Sequence, residues 1–501
     1  MALDVRIKLS TKSIFWAILS AVSIFSALLF VGLGEVPSPL FQDESDGLYR
    51  ILHFASTSRD VDGSPFPILL SWRNAFGSFS YPAYFIPVAL FSKLLGGVAH
   101  YSEFRAVGGI FCVLSAFMIY RLARLFNMSP SFSLLSSFLY ISSPLSQLSY
   151  RVAWDPVSLP FFYLVAVYVL ELLLVRLRHA RKLLKIENLR DSFLAGLSIG
   201  FLWWGYPPGR LISILLLIYL FSRLIWVGCQ AKKALFFSVF LGWLSASAPI
   251  LWASNHLQGT FQRSADLLNK PSLLGVYSSL KSLLSQLTYF DYLIFWGDPQ
   301  RRHSTGFGGV LGFAGIILLA VVVAYIILSS LRDQGGFPRQ RLLGDPTGRI
   351  LLYIVFATIP SAITFDEFHA LRSNGAFPFW SILASLLLMR LLESSFLAEH
   401  ARNIVLLFVL AVAILYGLQG FNYMSGYSSF LSDAQQNATY RGQSREYFQR
   451  SSHDRVASLS DDQLVKVVSS YSDYPGSGEC RILFEYFSRR LDRKYGAPYF
   501  P

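Results

Sequence analysis

The chain has 501 residues, of which 53% are hydrophobic, 16% aromatic and 15% charged, and its mean hydropathy is +0.46. An ordinary soluble domain of this length does not reach such values, so the sequence predicts an integral membrane protein that crosses the bilayer many times. The formal net charge of +13 does not indicate a nucleic-acid partner, because the basic residues cluster between apolar segments instead of forming one basic surface.

Apolar segments long enough to cross a bilayer occur about eleven times along the chain. Residues 81–97 are also apolar, but Pro82, Pro87 and the short length favour an interfacial helix within the first outer loop, 34–105. The predicted fold is therefore all-α and polytopic, with a membrane domain over 1–420 and a small extracytoplasmic appendage over 421–501. The predicted spans are 13–33, 106–125, 130–148, 156–175, 192–206, 209–227, 234–253, 308–331, 349–364, 376–392 and 403–420.

The distribution of Lys and Arg predicts the orientation of these spans. With a cytoplasmic N-terminus, the basic clusters at 121–124, 176–190, 223–233, 332–349 and 390–402 all fall on the cytoplasmic side. Counting 81–97 as a span would place them on the wrong side. We therefore expect the C-terminus to be extracytoplasmic, in a cell (inner or plasma) membrane. The first span lacks a small-residue cleavage site after it, which favours a retained helix.

Under this topology the charged, motif-like segments all fall in outer loops. The first of them is an acidic pair that follows the first span by about ten residues. Carboxylates, guanidiniums and imidazoles are thereby expected to converge on one membrane face. The candidate residues are Asp43 and Glu44 in the first loop, Arg151 and Asp155 in the second, Tyr206 and Arg210 in the third, Asp298, Arg302 and His303 before the eighth span, and His369 and Arg372 after the ninth.

The order of these motifs resembles that of the membrane glycosyltransferases of the C-type fold, in particular the family 39 relatives of protein O-mannosyltransferases, which use polyprenyl-phosphate sugars. The resemblance covers about residues 10–420. It implies the C-type fold and a polyprenyl-phosphate-linked sugar as donor. The matching segments are Asp43-Glu44, Arg151 to Asp155, Tyr206 to Arg210, Gly297-Asp298-Pro299 with Arg302-His303-Ser304, and His369 to Ser373.

Two positions depart from the pattern of that family. Many bacterial relatives have a lysine before the proline of the interfacial helix, where this chain has Ser80 and Tyr81 before Pro82. Relatives also often have histidine after the tyrosine of the third loop, where this chain has Pro207. These differences bear on the identity of the substrate more than on the class of reaction.

The chemistry of such a transfer explains why acidic and basic residues are needed together. A base must take the proton of the acceptor hydroxyl as an oxocarbenium-like centre forms, and one carboxylate suffices for an inverting displacement. The resemblance assigns the base to Asp43, with Glu44 orienting a hydroxyl and Asp155 as a second carboxylate. Cations stabilise the phosphate leaving group, and the guanidinium fork suits phosphate oxygens. The candidate substrate-binding residues are Arg151, Tyr206, Arg210, Asp298, Arg302, His303, His369 and Arg372.

Structural interpretations of the same residues stay open. The acidic pair could be solvated loop acids that cap an interfacial helix, and Asp155 before Pro156 is also typical of a helix start. Arg210 could extend its side chain to the interface from a span end. Gly297-Asp298-Pro299 is also a turn signal, and His369 and Arg372 lie where interfacial anchoring is common.

Two further classes of function are weighed against an enzyme. A transporter or flippase of lipid-linked sugars would place polar groups at mid-membrane and often shows an internal repeat, whereas the predicted spans are nearly free of charge. A non-enzymatic assembly subunit would leave the acidic and basic motifs without a role. No cofactor and no metal site is indicated, although a divalent cation is left open. The expected partners are the lipid-linked donor, a glycan, protein or lipid acceptor, and membrane lipids, with no nucleic acid.

Overall fold

The computed structural model describes residues 11–33, 51, 54–55, 58–59, 70–71, 79–94, 101–179, 186–225, 232–256, 273–289, 291–295, 297, 308–330, 345–364, 369–393 and 399–425. Among these residues almost all regular structure is helical. The exception is a two-residue antiparallel ladder, in which Leu70 pairs with Ser80 and Ser71 with Phe79. The prediction of an all-α polytopic fold is confirmed, since a ladder of this size forms no sheet layer.

The helices follow one another along the chain with short connections. Three 3-10 turns, Asp155–Val157, Phe201–Trp204 and Asn374–Ala376, and one π-helical turn, Asp291–Phe295, lie at helix ends or in loops. The helices are α1 (Thr11–Leu28), α2 (Pro82–Leu94), α3 (Tyr101–Leu125), α4 (Pro130–Ile141), α5 (Pro144–Ser149), α6 (Ser158–His179), α7 (Ile186–Gly200), α8 (Pro208–Ile225), α9 (Lys232–His256), α10 (Leu273–Thr288), α11 (Phe313–Ser330), α12 (Pro346–Ala362), α13 (Phe377–Glu393) and α14 (Glu399–Ser425).

Every predicted span coincides with a helical segment, but not every one is a long apolar helix. Six described segments are long and apolar enough to cross a membrane, so the predicted count of eleven is not confirmed: Phe104–Leu125, Asp155–Leu177, Pro208–Ile225, Lys233–Ala253, Asn374–Glu393 and Asn403–Asn422. The other five predicted spans form helices with shorter described apolar stretches. Helix α2 has 13 residues, about 20 Å of helix, which is too short for a span, as predicted. Its placement along the bilayer stays a prediction.

The predicted span 130–148 is two helices, not one. Helix α4 ends at Ile141, and α5 begins at Pro144. Ser143 caps α5, because its hydroxyl accepts a hydrogen bond of 3.2 Å from the Ser146 backbone amide, and Pro144 fits the first helical turn, where no backbone donor is needed. The Ser-Ser-Pro run at 142–144 is therefore a stop and restart signal inside an apolar stretch.

Helices α7 and α9 approach each other more closely than side chains would allow. A Cβ added at Gly196 would lie 1.9 Å from the carbonyl oxygen of Val239, and one added at Gly242 would lie 2.1 Å from that of Phe193. Small residues at a helix contact let the two backbones touch, which is a typical source of association energy between helices in lipid. Glycine on both helices therefore fixes their separation.

One buried ion pair lies within the membrane domain. Glu171 of α6 is fully buried and accepts hydrogen bonds from the Arg349 guanidinium and, at 2.6 Å, from the Tyr353 hydroxyl, both on α12. The Cζ atom of Arg349 lies 5.1 Å from the Phe126 ring centroid. The expectation that the spans are nearly free of charge therefore needs a correction. Glu171 falls inside the predicted span 156–175, where its charge is compensated by a residue that is distant in sequence.

Helix α10 carries its apolar side chains on the outside. Leu274 is 78% exposed and Leu284 is 63% exposed, whereas Ser282 and Gln286 are buried against the rest of the protein. Gln286 donates a hydrogen bond of 3.1 Å to Ser282. A helix with this arrangement fits an apolar surrounding. We therefore place α10 against lipid, although it belongs to the segment 254–307, which was predicted as an outer loop.

Candidate active site at one end of the helix bundle

The described polar contacts separate the helix bundle into two ends. At one end α1 terminates, α3 and α8 begin, and the loops around 150–157 and 363–376 meet; we call it the motif end. Here Arg105 donates a hydrogen bond of 2.9 Å to the carbonyl oxygen of Leu33, and the Asn374 side-chain amide donates one of 2.6 Å to that of Pro156. Segments that were predicted as outer loops therefore contact one another.

The opposite end of the bundle holds segments that were predicted as inner loops. Arg176, near the end of α6, forms an ion pair with Asp191 at the start of α7. Arg390, near the end of α13, donates a hydrogen bond of 3.0 Å to Asp345, directly before α12. The division of loops between two faces, which was predicted from the basic residues, thus agrees with the contacts of the described residues.

Asp155 lies at the motif end and is 9% exposed. It begins the 3-10 turn Asp155–Val157, with Pro156 in that turn, and its backbone carbonyl accepts a hydrogen bond of 2.9 Å from the Ser158 hydroxyl. The N-cap position belongs to Trp154, which is extended, and the Trp154 indole donates to the Ser149 carbonyl at 2.9 Å. The interpretation of Asp155 as the N-cap residue is therefore wrong. The role of its carboxylate in catalysis stays a prediction.

The segment that carries His369 and Arg372 lies directly beside the Asp155 turn, because the bond from Asn374 to Pro156 joins them. His369 is 4% exposed, and its backbone carbonyl accepts a hydrogen bond of 3.0 Å from the Arg372 amide. The Arg372 guanidinium donates to the Thr364 hydroxyl at 2.7 Å. These bonds fold residues 364–374 into one compact turn, which keeps an imidazole and a guanidinium near the motif-end surface.

A third predicted loop reaches the same place through Tyr292. Its hydroxyl lies 3.3 Å from that of Ser373, and either atom can be the donor. Tyr292 belongs to the π-helical turn Asp291–Phe295, which precedes the predicted motif with Asp298, Arg302 and His303. Those three residues, like Asp43 and Glu44, lie outside the described residues, and their roles stay predictions.

Arg210 is held between two aromatic rings. It lies in the first turn of α8 and is 8% exposed. Its guanidinium donates a hydrogen bond of 2.9 Å to the Tyr81 hydroxyl, and its Cζ atom lies 5.2 Å from the ring centroid of Tyr81 and 5.8 Å from that of Trp203. Tyr206, which is half-buried, accepts the Gly209 amide at 2.8 Å in the turn before α8. This burial does not fit a guanidinium that only reaches for the interface.

Arg151 differs from the other candidates because its side chain binds the protein itself. It is fully buried, and its Nη2 atom donates to the carbonyl oxygens of Leu28, at 2.5 Å, and Val31, at 2.8 Å. Burial and the neighbouring Arg105 guanidinium lower the pKa of Arg151 to about 10. The side chain is still a cation at neutral pH. It lies at the end of α1, on the path that leads to the acidic pair.

Several contacts at the motif end involve residues that sequence reasoning missed. Tyr81 and Trp203 flank Arg210, Arg105 accompanies Arg151, and Asn374 joins two loops. Arg105 had a signal in the sequence, because it is a cation directly before a predicted span. Tyr81 had another, since it stands where the resembling family often has a cation. Among the residues that the structure describes, no group of three or more His, Cys, Asp or Glu could hold a metal ion, and metal independence stays a prediction.

Comparison with known proteins gives matches among solved structures alone. No protein-family profile matches the sequence, and no curated protein matches it. ArnT from Cupriavidus metallidurans, bound to undecaprenyl phosphate, is 12% identical with a TM-score of 0.52, over 85% of this chain and 81% of ArnT. The S. cerevisiae protein O-mannosyltransferase Pmt1–Pmt2 complex, bound to the sugar donor, is 9% identical with a TM-score of 0.51, over 90% of this chain and 96% of the yeast chain.

A third similar structure is larger than this chain. The oligosaccharyltransferase of Archaeoglobus fulgidus aligns over 92% of this chain at 14% identity, but this chain spans only 60% of its length, and the TM-score is 0.48. The first two structures cover most of both partners in each alignment. Identities this low establish the fold and leave the substrate open. The chain is a polytopic membrane protein with the C-type fold of membrane glycosyltransferases.

Proposed function

We propose that this chain is an inverting glycosyltransferase that moves a sugar from a polyprenyl-phosphate carrier to an acceptor hydroxyl on the extracytoplasmic face of the membrane. The observation that carries the proposal is the junction of three predicted motif loops at one end of the bundle. Asn374 joins the His369 loop to the Asp155 turn, and Tyr292 joins it to the segment before Asp298. Residues that are far apart in sequence are thereby held around one region.

The proposed chemistry assigns different roles to acids and cations. Asp43 takes the proton of the acceptor hydroxyl, while Glu44 and Asp155 position hydroxyl groups of acceptor or donor. Arg210 and Arg372 stabilise the phosphate on which charge develops as the glycosidic bond breaks. The buried, aromatic-flanked guanidinium of Arg210 supports this, because partial exclusion of water strengthens its attraction for phosphate. His369 donates a hydrogen bond to the same leaving group.

The similar structures support the class of donor. The C. metallidurans protein binds undecaprenyl phosphate, and the yeast complex binds a sugar donor. A shared fold with similar structures that hold these ligands favours a lipid phosphate as the carrier here. We further propose that the N-terminus is cytoplasmic and that the motif end is extracytoplasmic, in a cell membrane, because the basic loops gather at the opposite end.

The test of this function uses the full chain purified in detergent with radiolabelled undecaprenyl-phosphate and dolichyl-phosphate sugars, and with membrane extract as the source of acceptor. Transfer of label with release of polyprenyl phosphate is the expected result. Asp43→Asn should lower the rate by about 10² to 10⁴-fold, the usual contribution of a general base. Asp60→Asn, in the same predicted loop, is the matched control and should keep the rate.

Two outcomes would overturn the proposal. If Asp43→Asn transfers sugar at the wild-type rate, the base is another residue. If labelled lipid crosses the bilayer of reconstituted vesicles while no polyprenyl phosphate is released, the chain is a transporter of lipid-linked sugars and not a transferase.

A further inference from the structure

The first helix ends with exposed backbone acceptors at the motif end. Helix α1 stops at Leu28, and two turn-type hydrogen bonds follow, from Phe30 to Ala27 at 3.0 Å and from Val31 to Leu28 at 3.2 Å. Gly32 then has a φ of +65°, a left-handed conformation that glycine adopts without strain. The chain therefore turns away from the helix, and the last carbonyl groups of α1 need partners from elsewhere.

Two buried arginines supply those partners. Arg151 donates to the carbonyls of Leu28 and Val31, and Arg105 donates to that of Leu33 at 2.9 Å. Both arginine side chains are fully buried. A helix C-terminus carries partial negative charge, so a guanidinium is stabilised there as well as hydrogen-bonded. Residues 28–33 are thus held by two cations from two different elements.

The packing around the arginines shows a built site and not a chance contact. Helix α3 brings Arg105 and, one turn later, Gly108, where an added Cβ would lie 2.4 Å from the carbonyl oxygen of Tyr150. That close approach places the backbone of the next residue, Arg151, against α3. On its other side the Cζ atom of Arg151 lies 5.1 Å from the ring centroid of Phe421 in α14. The guanidinium is therefore fixed by α1, α3 and α14 together.

From this geometry we infer that Arg105 and Arg151 are positioning residues for the acidic pair. They anchor residues 28–33, and Asp43 follows Leu33 by ten positions, a length that can extend at most about 35 Å. Pro37 and Pro39 lie in between, and each has a fixed φ, which reduces the conformations that the segment can adopt. A shift of the anchor is thereby transmitted to Asp43 and Glu44. The inference rests on the proposed function and replaces a substrate-binding role for Arg151.

A positioning role and a substrate-binding role predict different kinetic changes. If Arg151 sets the place of the acids, its loss lowers kcat and leaves the KM for the lipid-linked donor unchanged. A misplacement of about 1 Å can cost about 10²-fold in rate. If Arg151 bound the donor phosphate instead, the KM would rise, and affinity for undecaprenyl phosphate would fall.

The experiment compares Arg151→Met and Arg151→Lys with Arg121→Met. Arg121 is an exposed arginine of α3 that donates to the Tyr168 hydroxyl at 2.9 Å and serves as the matched control. We expect Arg151→Met to lower kcat about 10²-fold and Arg151→Lys to recover part of it, because the lysine keeps the charge on a shorter side chain. A raised donor KM with an unchanged kcat would overturn the inference, and so would a lower melting temperature with unchanged kinetics.

A second measurement does not depend on transfer activity. Hydrogen exchange of the peptide that covers residues 29–44 should become roughly tenfold faster in Arg151→Lys, as expected for the loss of one hydrogen bond, while α9 is unchanged. Arg105→Lys should give the same local effect, and it provides a second route if Arg151→Met does not fold. Unchanged exchange in both lysine variants would overturn the anchor even in an active enzyme. Faster exchange in a chain without transfer activity would support the anchor and reject the proposed function alone.

Discussion

The ion pair between Glu171 and Arg349 should make a large and strongly coupled contribution to stability. Glu171 is fully buried, Arg349 is 8% exposed, and Tyr353 also donates to the carboxylate. Replacement of either charged residue by methionine leaves the other charge buried without its counter-ion, which typically costs about 3–5 kcal/mol. Tyr353→Phe removes one hydrogen bond to a carboxylate and should cost about 1.5–3 kcal/mol.

The double variant Glu171→Met with Arg349→Met tests this reasoning most directly. It leaves no unpaired charge, and replacing a buried pair by apolar side chains of similar volume is often close to neutral. The double variant should therefore be more stable than either single variant, with a coupling free energy of at least about 2 kcal/mol.

The assay is unfolding of the purified chain in mixed micelles with increasing dodecyl sulfate, which gives a free energy of unfolding for each variant. Asp345→Asn is the control, because its partner Arg390 is partly exposed and the ion pair should be worth only about 0–1 kcal/mol. The reasoning would be refuted if the losses of the two single methionine variants simply added in the double variant. A Glu171→Met variant as stable as the wild type would refute it as well.

Two further changes test the helix contact and the Arg210 site. Gly196→Ala should destabilise the fold by about 1–3 kcal/mol, because the new methyl group meets backbone, whereas Gly205→Ala, whose nearest heavy atom would be 3.4 Å away, should be nearly neutral; equal melting temperatures would contradict the α7–α9 contact. Tyr81→Phe removes the acceptor of Arg210 and should weaken binding of undecaprenyl phosphate roughly tenfold without lowering the melting temperature, whereas Tyr168→Phe should leave binding unchanged. Equal affinity in both variants would remove Tyr81 from the site.

The membrane fold could be predicted from the sequence because hydropathy and basic residues act over short distances. Each apolar run finds its own helix, and each basic cluster marks one end of that helix. The break between α4 and α5 also has a local signal, the proline at 144. Such features need no knowledge of which helices are neighbours.

The site could be predicted only in part, because its contacts join residues that are far apart in sequence. Arg210 meets Tyr81 across 129 positions, and Arg151 meets Leu28 across 123. Sequence spacing does not say which loops pack together. Arg151 was accordingly taken as a substrate ligand, although its partners are backbone carbonyls. Glu171 was overlooked for a similar reason, since a single acid within an apolar span acquires meaning only when its partner on another helix is known.

The contact of Phe421 with Arg151 places the exits of the first and last helices side by side. A polypeptide that leaves α14 after Ser425 starts next to the segment that leads to the acidic pair. Anything joined to that point is tethered, so its effective concentration near the first loop is set by the length of the tether and not by its free concentration. A short C-terminal extension can thereby present an acceptor to the motif end, or exclude one from it, without high affinity for the membrane domain.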